Sequence, residues 1–114
     1  MRPEKLYLTD IVDAAKAIEK FCKGIEFKQF EGDDMRRSAV LQKLIVIGEA
    51  VARLSAEFVD AHSDIPWVDI IGFRNFAVHE YFAVKWDVVW LTANEEVPYL
   101  RKQVSKLLRN EFRE

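Results

Sequence analysis

Three polar side chains lie close together in an otherwise apolar stretch of the sequence, and their types suit proton transfer beside an anion. Arg74 and Asn75 are adjacent, and His79 follows four residues after Asn75. Histidine, with an ordinary pKa of about 6.5, can accept or donate a proton near neutral pH. Arginine carries a permanent positive charge and a planar set of donors that fits phosphate oxygens. These residues are therefore the candidate chemical groups of the chain.

The segment that carries them has apolar side chains on almost every side. If residues 72–82 form a helix, each residue turns the direction of the side chain by about 100°. A helix that is apolar nearly all round is expected to be buried. Asn75 and His79 form its one polar notch and are close enough to touch. Arg74 lies about 140° from His79, so the two converge only if the helix distorts near His79, or if two chains share a cleft across a two-fold axis.

A purely structural role for the same residues is an open alternative. Burying Arg, Asn and His is costly unless these groups are paired or lie in a wet cleft. Arg74 can form an ion pair with a carboxylate such as Glu49 or Asp69, and His79 can cap the end of a helix. The spacing alone does not decide between this role and a chemical one.

The spacing of apolar residues predicts two long helices before this segment. The first has Thr9 or Asp10 as a candidate cap and Gly24 as a stop, and its apolar stripe is Leu8, Ile11, Ala15, Ile18 and Cys22. The second is predicted from Asp33 or Asp34 to about His62, with the stripe Val40, Leu44, Ile47, Val51, Leu54 and Phe58. A second apolar stripe beside the latter predicts that this helix packs on two sides.

A further long helix is predicted after Lys85. Its apolar residues keep a helical register from Trp86 to Leu107, through Pro98. A proline inside a helix removes a hydrogen bond and clashes with the preceding turn, so this helix should be kinked or broken near Pro98. The sequence therefore predicts an all-α fold, an antiparallel four-helix bundle whose shorter third helix carries the polar residues.

Composition limits the class of protein. Residues 1–114 are predicted to form a single domain, because the length suits one and no linker divides the chain. The formal net charge is −2, so the chain as a whole is not a basic nucleic-acid coat. A single cysteine excludes an intrachain disulfide. No signal peptide or membrane span is visible, which favours a cytoplasmic protein.

The other reactive side chains have simpler interpretations. His62 has no cluster of metal-ligating residues around it in the sequence, so it is predicted to cap a helix end or to be solvated. Cys22 lies on the apolar stripe of the first helix and is predicted to belong to the core. The sequence therefore predicts neither a metal site nor a cofactor.

The motif residues also support a resemblance to a known family. The stretch from Arg74 to Tyr81, RNFAVHEY, is similar to the R-x4-H-x-Y motif of HepT-like toxins in the HEPN superfamily. RRSAVLQKLIVIGEA, residues 36–50, resembles the signature of that family's second helix, and IPWVDIIGFRN, residues 65–75, resembles its approach to the active site. The resemblance covers about the whole chain.

This resemblance implies a specific function. Proteins of the family are all-helical, usually form homodimers and pair with a nucleotidyltransferase antitoxin of the MNT type. Many HEPN proteins are metal-independent ribonucleases whose motif Arg and His act at the dimer cleft. By motif match the catalytic residues here are Arg74 and His79, and Asn75 matches the polar residue that commonly follows the Arg. Tyr81 matches the tyrosine that the nucleotidyltransferase modifies with AMP, which silences the toxin.

The residues fit that chemistry. Cleavage of RNA without a metal needs a base for the 2′-hydroxyl, an acid for the leaving 5′-oxygen and a cation on the phosphate. Two symmetry-related copies of His79 can divide the first two roles, while Arg74 supplies the third. On a continuous helix Tyr81 returns to the side of Arg74, with Phe82 and Val84 expected in the core. The alternative function is a catalytically inactive helical protein that binds a nucleotidyltransferase.

Overall fold

The computed structural model describes residues 3–112, which form helices and contain no β-strand. The α-helices are α1 (Glu4–Cys22), α2 (Phe27–Glu31), α3 (Asp34–Ala52), α4 (Ala56–Ala61), α5 (Trp67–His79), α6 (Trp86–Leu91) and α7 (Val97–Glu111). A 3₁₀ turn, Tyr81–Ala83, follows α5, and a π-helical turn, Thr92–Glu96, joins α6 to α7. The predicted all-α fold is confirmed.

The first helix begins earlier than its apolar stripe suggests. Pro3 occupies the N-cap of α1, so the caps predicted at Thr9 and Asp10 are wrong. The Thr9 hydroxyl instead donates a hydrogen bond to the Lys5 carbonyl one turn back, which lets a threonine lie inside the helix. After α1, Gly24 has a φ of 77°, a left-handed conformation that glycine adopts without steric cost.

Asp33 is the N-cap of α3, so one of the two predicted caps is confirmed. Its Oδ1 accepts a hydrogen bond from the backbone N–H of Arg36 at 3.0 Å, and its Oδ2 pairs with the Arg36 side chain at 3.2 Å. These bonds to the ionised form lower the pKa of the Asp33 carboxyl. The predicted core stripe of α3 is buried, as is that of α1.

The second predicted helix does not extend to His62 as the sequence suggested. The helix ends at Ala52, and a new helix, α4, begins after Ser55. The Ser55 hydroxyl accepts a hydrogen bond from the N–H of Phe58 at 3.1 Å, and the Ser55 N–H donates to Glu4 Oε1 at 2.6 Å. These two bonds fix a helix start at Ser55 and interrupt the register that the apolar stripe continues.

The irregularity predicted near Pro98 is present as the π turn that precedes it. Pro98 lies in the first turn of α7. It has no N–H for the carbonyl of Asn94, and its ring would clash with that carbonyl in a regular α-helix. A π turn over residues 92–96 widens the helix at this point. The helical path therefore continues from α6 into α7.

The long helices pack in a row rather than in a closed ring. α1 packs against both α3 and α7, and α3 also packs against α5. α5 and α7 form the two edges of this row and have few contacts with each other. The predicted bundle is therefore present with one side open, and the candidate residues lie on the edge helix α5.

Candidate active site

The position of Arg74 depends on a close approach between α3 and α5. Gly48 of α3 faces the stem of Arg74, and a Cβ built on Gly48 would overlap the Arg74 Cβ and lie 2.7 Å from its Cγ. Only glycine leaves room for this stem. The apolar spacing of the second predicted helix gave no sign of this role of Gly48. A lone glycine in the middle of a helix is the signal that points to such a close approach.

Two polar neighbours hold the guanidinium of Arg74. Its Nη1 donates to Glu49 Oε1 at 2.6 Å, and its Nε donates to Asn75 Oδ1 at 2.8 Å. The Arg74 side chain is only 18% exposed, whereas Glu49 is 49% exposed. The ion pair predicted between Arg74 and Glu49 is therefore present, while Asp69, the other candidate, does not form it. The pair orients the guanidinium and lies at the surface, where solvent reaches it.

His79 is the last residue of α5 and is exposed. No side chain or backbone group among residues 3–112 is hydrogen-bonded to its ring. The expected contact between Asn75 and His79 is absent, because the Asn75 oxygen is bound to Arg74. Arg74 and His79 are not bonded to each other either. Within one chain the two candidate groups stand on the same helix without forming a joint site.

The expectation that the third helix is buried is wrong for the isolated chain. Only Trp67 and Ala77 of α5 are buried. Phe76 is 43% exposed and Val78 is 48% exposed. Part of the apolar surface of α5 is therefore uncovered in the isolated chain. An exposed apolar surface of this kind marks a site where another molecule packs.

The structure also corrects the placement of the residues after His79. α5 ends at His79 rather than continuing to residue 82, so the helical angle expected for Tyr81 does not apply. Tyr81 lies in the 3₁₀ turn, is 46% exposed and packs edge-to-face on Phe82. Phe82, expected in the core, is 100% exposed, whereas Val84 packs against the core. No glycine or proline marks this helix end, so the sequence carried no stop signal.

The remaining reactive side chains have structural partners or are buried. His62 caps the end of α4, and its Nε2 lies 3.1 Å from Glu111 Oε2. Burial raises the pKa of the Cys22 thiol, which keeps it protonated. Residues 3–112 hold no group of three or more His, Cys, Asp or Glu side chains arranged to bind a metal ion. Over the same residues no helix is long and apolar enough to cross a bilayer.

Substitution of Gly48 tests the contact that positions Arg74. Gly48→Ala is expected to lower the free energy of unfolding by about 1–3 kcal/mol, because the new methyl group overlaps the Arg74 stem. Gly72→Ala in α5 is the matched control, since a Cβ there meets nothing within 4 Å. Alanine at this exposed helical position should raise stability by about 0.5–1 kcal/mol. Urea denaturation followed by circular dichroism measures both, and equal stability of the two variants would contradict the steric argument.

Fold and site together define a class of protein. It is a small all-α protein with an oriented arginine and an exposed histidine on one edge helix. The model of the family described as "Ribonuclease HepT-like" matches residues 11–107. The chain therefore belongs to the HepT-like ribonuclease family. This agrees with the resemblance carried by its motif residues.

Relatives with similar sequences cover nearly the whole chain. A protein of Caldanaerobacter subterraneus subsp. tengcongensis, named as a candidate RNase, is 38% identical over 111 residues, which are 97% of this chain and 99% of that protein. A protein of Thermococcus cleftensis, named as a probable ribonuclease HepT, is 37% identical over 106 residues, 93% of this chain and 96% of that protein. No solved structure matches the chain. Family and relatives together support a ribonuclease of the HEPN type.

Proposed function

We propose that this chain is a metal-independent endoribonuclease that acts as the toxin of a toxin–antitoxin pair. The observation that carries the proposal is the contrast between Arg74 and His79. Arg74 is held by Glu49 and Asn75 in a fixed orientation, whereas His79 is exposed with no bonded partner within residues 3–112. An oriented cation and a free imidazole are the groups that phosphate-ester cleavage requires.

The proposed chemistry uses the neighbouring 2′-hydroxyl of RNA as the nucleophile. A neutral His79 takes the proton of the 2′-hydroxyl while that oxygen attacks the adjacent phosphorus. The bond from phosphorus to the 5′-oxygen breaks, and a protonated His79 from a second copy supplies the proton that this oxygen takes up. Arg74 neutralises the charge that develops on the phosphate oxygens. Asn75 acts as a positioning residue, because it holds the Nε of Arg74.

The identity of the new RNA ends tests this mechanism. Purified protein incubated with single-stranded RNA and EDTA should produce internal cuts with 2′,3′-cyclic phosphate and 5′-hydroxyl ends. Mass spectrometry of the fragments distinguishes these ends from others. Fragments that carry 5′-phosphates, activity only after a divalent metal is added, or removal of single nucleotides from one end would contradict the proposal. A DNA oligonucleotide of the same sequence is the control, since it has no 2′-hydroxyl.

A homodimer is part of the proposal, because one chain does not bring Arg74 and His79 together. The uncovered apolar residues of α5 and the following turn supply a surface for it. Phe82 is 100% exposed at the tip of this turn, and a small apolar pocket of about 250 Å³ lies beside it, lined by Phe73, Phe76, Ala83, Val84, Lys85 and Val88. A patch with both a protruding side chain and a pocket can pair with itself across a two-fold axis.

Phe82→Glu is expected to dissociate this dimer. The new carboxylate would have to be buried without a partner, which is costly enough to weaken association at least tenfold. Sedimentation velocity measures the change in mass, and Met35→Glu is the control, since Met35 is also highly exposed but lies at the start of α3. A Phe82→Glu protein that remains dimeric would remove this surface from the proposal.

The proposed antitoxin is a nucleotidyltransferase of the MNT type that attaches AMP to Tyr81. The exposure of Tyr81 supports this, since its hydroxyl needs no unfolding to be reached. The alternative function, an inactive helical protein that binds a nucleotidyltransferase, keeps the modification but predicts no RNA cleavage. The assay of RNA ends therefore separates the two functions. In both, the protein is expected in the cytoplasm, where RNA and ATP are present.

A further inference from the structure

The open side of the bundle forms a groove between α5 and α7. These two helices flank the groove but have few contacts with each other, since each packs mainly on a different neighbour. The cavity between them has a volume of about 590 Å³. Its lining extends along α5 from Pro66 to Phe73 and along the π turn and α7 from Thr92 to Gln103. The second stretch spans about 16 Å at the rise of a helix, which is about three helical turns.

The groove has an apolar interior and an acidic rim. Its floor and walls are formed by apolar residues of three helices, namely Leu44, Ile47, Ile70, Phe73, Val97 and Leu100. Three exposed carboxylates line its edges, Asp69 on one side and Glu95 and Glu96 on the other. No lysine or arginine lines this cavity in the described part of the chain, and within that part Asp69 and Glu95 form no ion pair. The groove is therefore complementary to a cationic molecule with an apolar side.

A side chain of α7 and the π turn before it complete the lining of the groove. The Oε1 atom of Gln103, which lines the groove, is buried and accepts no hydrogen bond from any residue between 3 and 112. A buried acceptor without a donor carries a cost of desolvation. The π turn over Thr92–Glu96, which accommodates Pro98, forms part of the same edge of the groove.

We propose that this groove binds an amphipathic helix of a partner protein, with apolar residues on one face and lysine or arginine on its flanks. A helix inserted between α5 and α7 would close the bundle and cover the apolar floor, as in other helix-in-groove complexes. Its basic flanks would pair with Asp69, Glu95 and Glu96. A second copy of the same groove is a poor occupant, because a two-fold contact would place each set of carboxylates against an identical set. The groove adjoins the apolar pocket beside Phe82, because Phe73 and Val88 line both, but its acidic rim lies outside that pocket.

Binding of two designed peptides tests the proposal. The first is a 15-residue fluorescent helix with leucine on one face and lysine elsewhere, and the second has glutamate in place of every lysine. Fluorescence anisotropy with the full-length protein should show binding of the lysine peptide and at least tenfold weaker binding of the glutamate peptide, since only the first complements the rim. Equal affinity for both peptides would overturn the role of the acidic rim.

Variants locate the binding site. The double variant Glu95→Lys and Glu96→Lys should weaken the lysine peptide about tenfold or more and strengthen the glutamate peptide, because the sign of one edge is reversed. The control is Glu57→Lys with Asp60→Lys on α4, two exposed positions that change the net charge equally. Asp69→Asn, on the opposite edge, should weaken the lysine peptide by a smaller factor. If the control pair weakens the peptide as much as the rim pair, the peptide binds elsewhere.

The oligomeric state separates this groove from an interface between copies. The Glu95→Lys, Glu96→Lys variant should retain the sedimentation coefficient of the unaltered protein, because the proposal places no second copy there. A change in mass would assign the groove to contacts between copies and overturn the proposal. If the unaltered protein cleaves RNA, the same variant should cleave it at the same rate. The peptide-binding results do not depend on ribonuclease activity.

Discussion

Replacing His79 with alanine is expected to lower the rate of RNA cleavage by about 10²–10⁴-fold, the usual cost of losing a general acid or base. The fold should be unaffected, because His79 is exposed and no group in residues 3–112 is bonded to it. Circular dichroism and the midpoint of urea denaturation check the fold, and initial rates on a fluorescent RNA check the activity. A variant that cleaves RNA at the original rate would remove His79 from the proposed mechanism.

His62 is the matched control, since the chain has only two histidines. His62 is bonded to Glu111 and caps α4, so His62→Ala should lower stability and leave the cleavage rate of the folded protein unchanged. The pH dependence adds a second test. If His79 acts as both base and acid in two copies, the dependence of the cleavage rate on pH should be bell-shaped. His62→Ala should keep this profile, whereas His79→Ala should lose it.

The helices that bury regular apolar stripes were predictable from the sequence. The stripes of α1 and α3 are buried as expected. Apolar residues that recur every three or four positions lie on one face of a helix, and this face packs on the core. The end of α3 was not predictable from this spacing, since the apolar register continues from Leu54 to Phe58 through the break. The hydrogen bonds that decide the break at Ser55 include one to Glu4, which is remote in the sequence.

The candidate site was predictable in its residue types but only partly in its geometry. The pairing of Arg74 with Glu49 was one of two options that the sequence offered, and the contact of Gly48 with the Arg74 stem selects it. The burial of α5 was predicted wrongly, because an apolar pattern does not distinguish a helix buried within one chain from one that packs on another molecule. The exposed Phe82 has the same explanation under the proposed dimer.

Tyr81 is expected to be the site at which activity is switched off. In the proposed reaction the phenol oxygen of Tyr81 attacks the α-phosphorus of ATP, loses its proton, and releases pyrophosphate, which leaves AMP attached through a phosphodiester. Tyr81 is half-exposed in the turn that directly follows His79, so the added group would stand beside the end of α5. Its negative charge repels the phosphate of RNA, and its bulk competes for the space that RNA would occupy.

Incubation with a nucleotidyltransferase of the MNT type and ATP should therefore add the mass of one AMP group per modified tyrosine and abolish RNA cleavage. Tyr81→Phe should prevent both effects, since it removes the attacking oxygen and keeps the ring that packs on Phe82. Tyr99→Phe is the control, because Tyr99 is also exposed but lies on α7, and this variant should be modified like the unaltered protein. Modification that persists in Tyr81→Phe, or a modified protein that still cleaves RNA, would show that Tyr81 is not the switch.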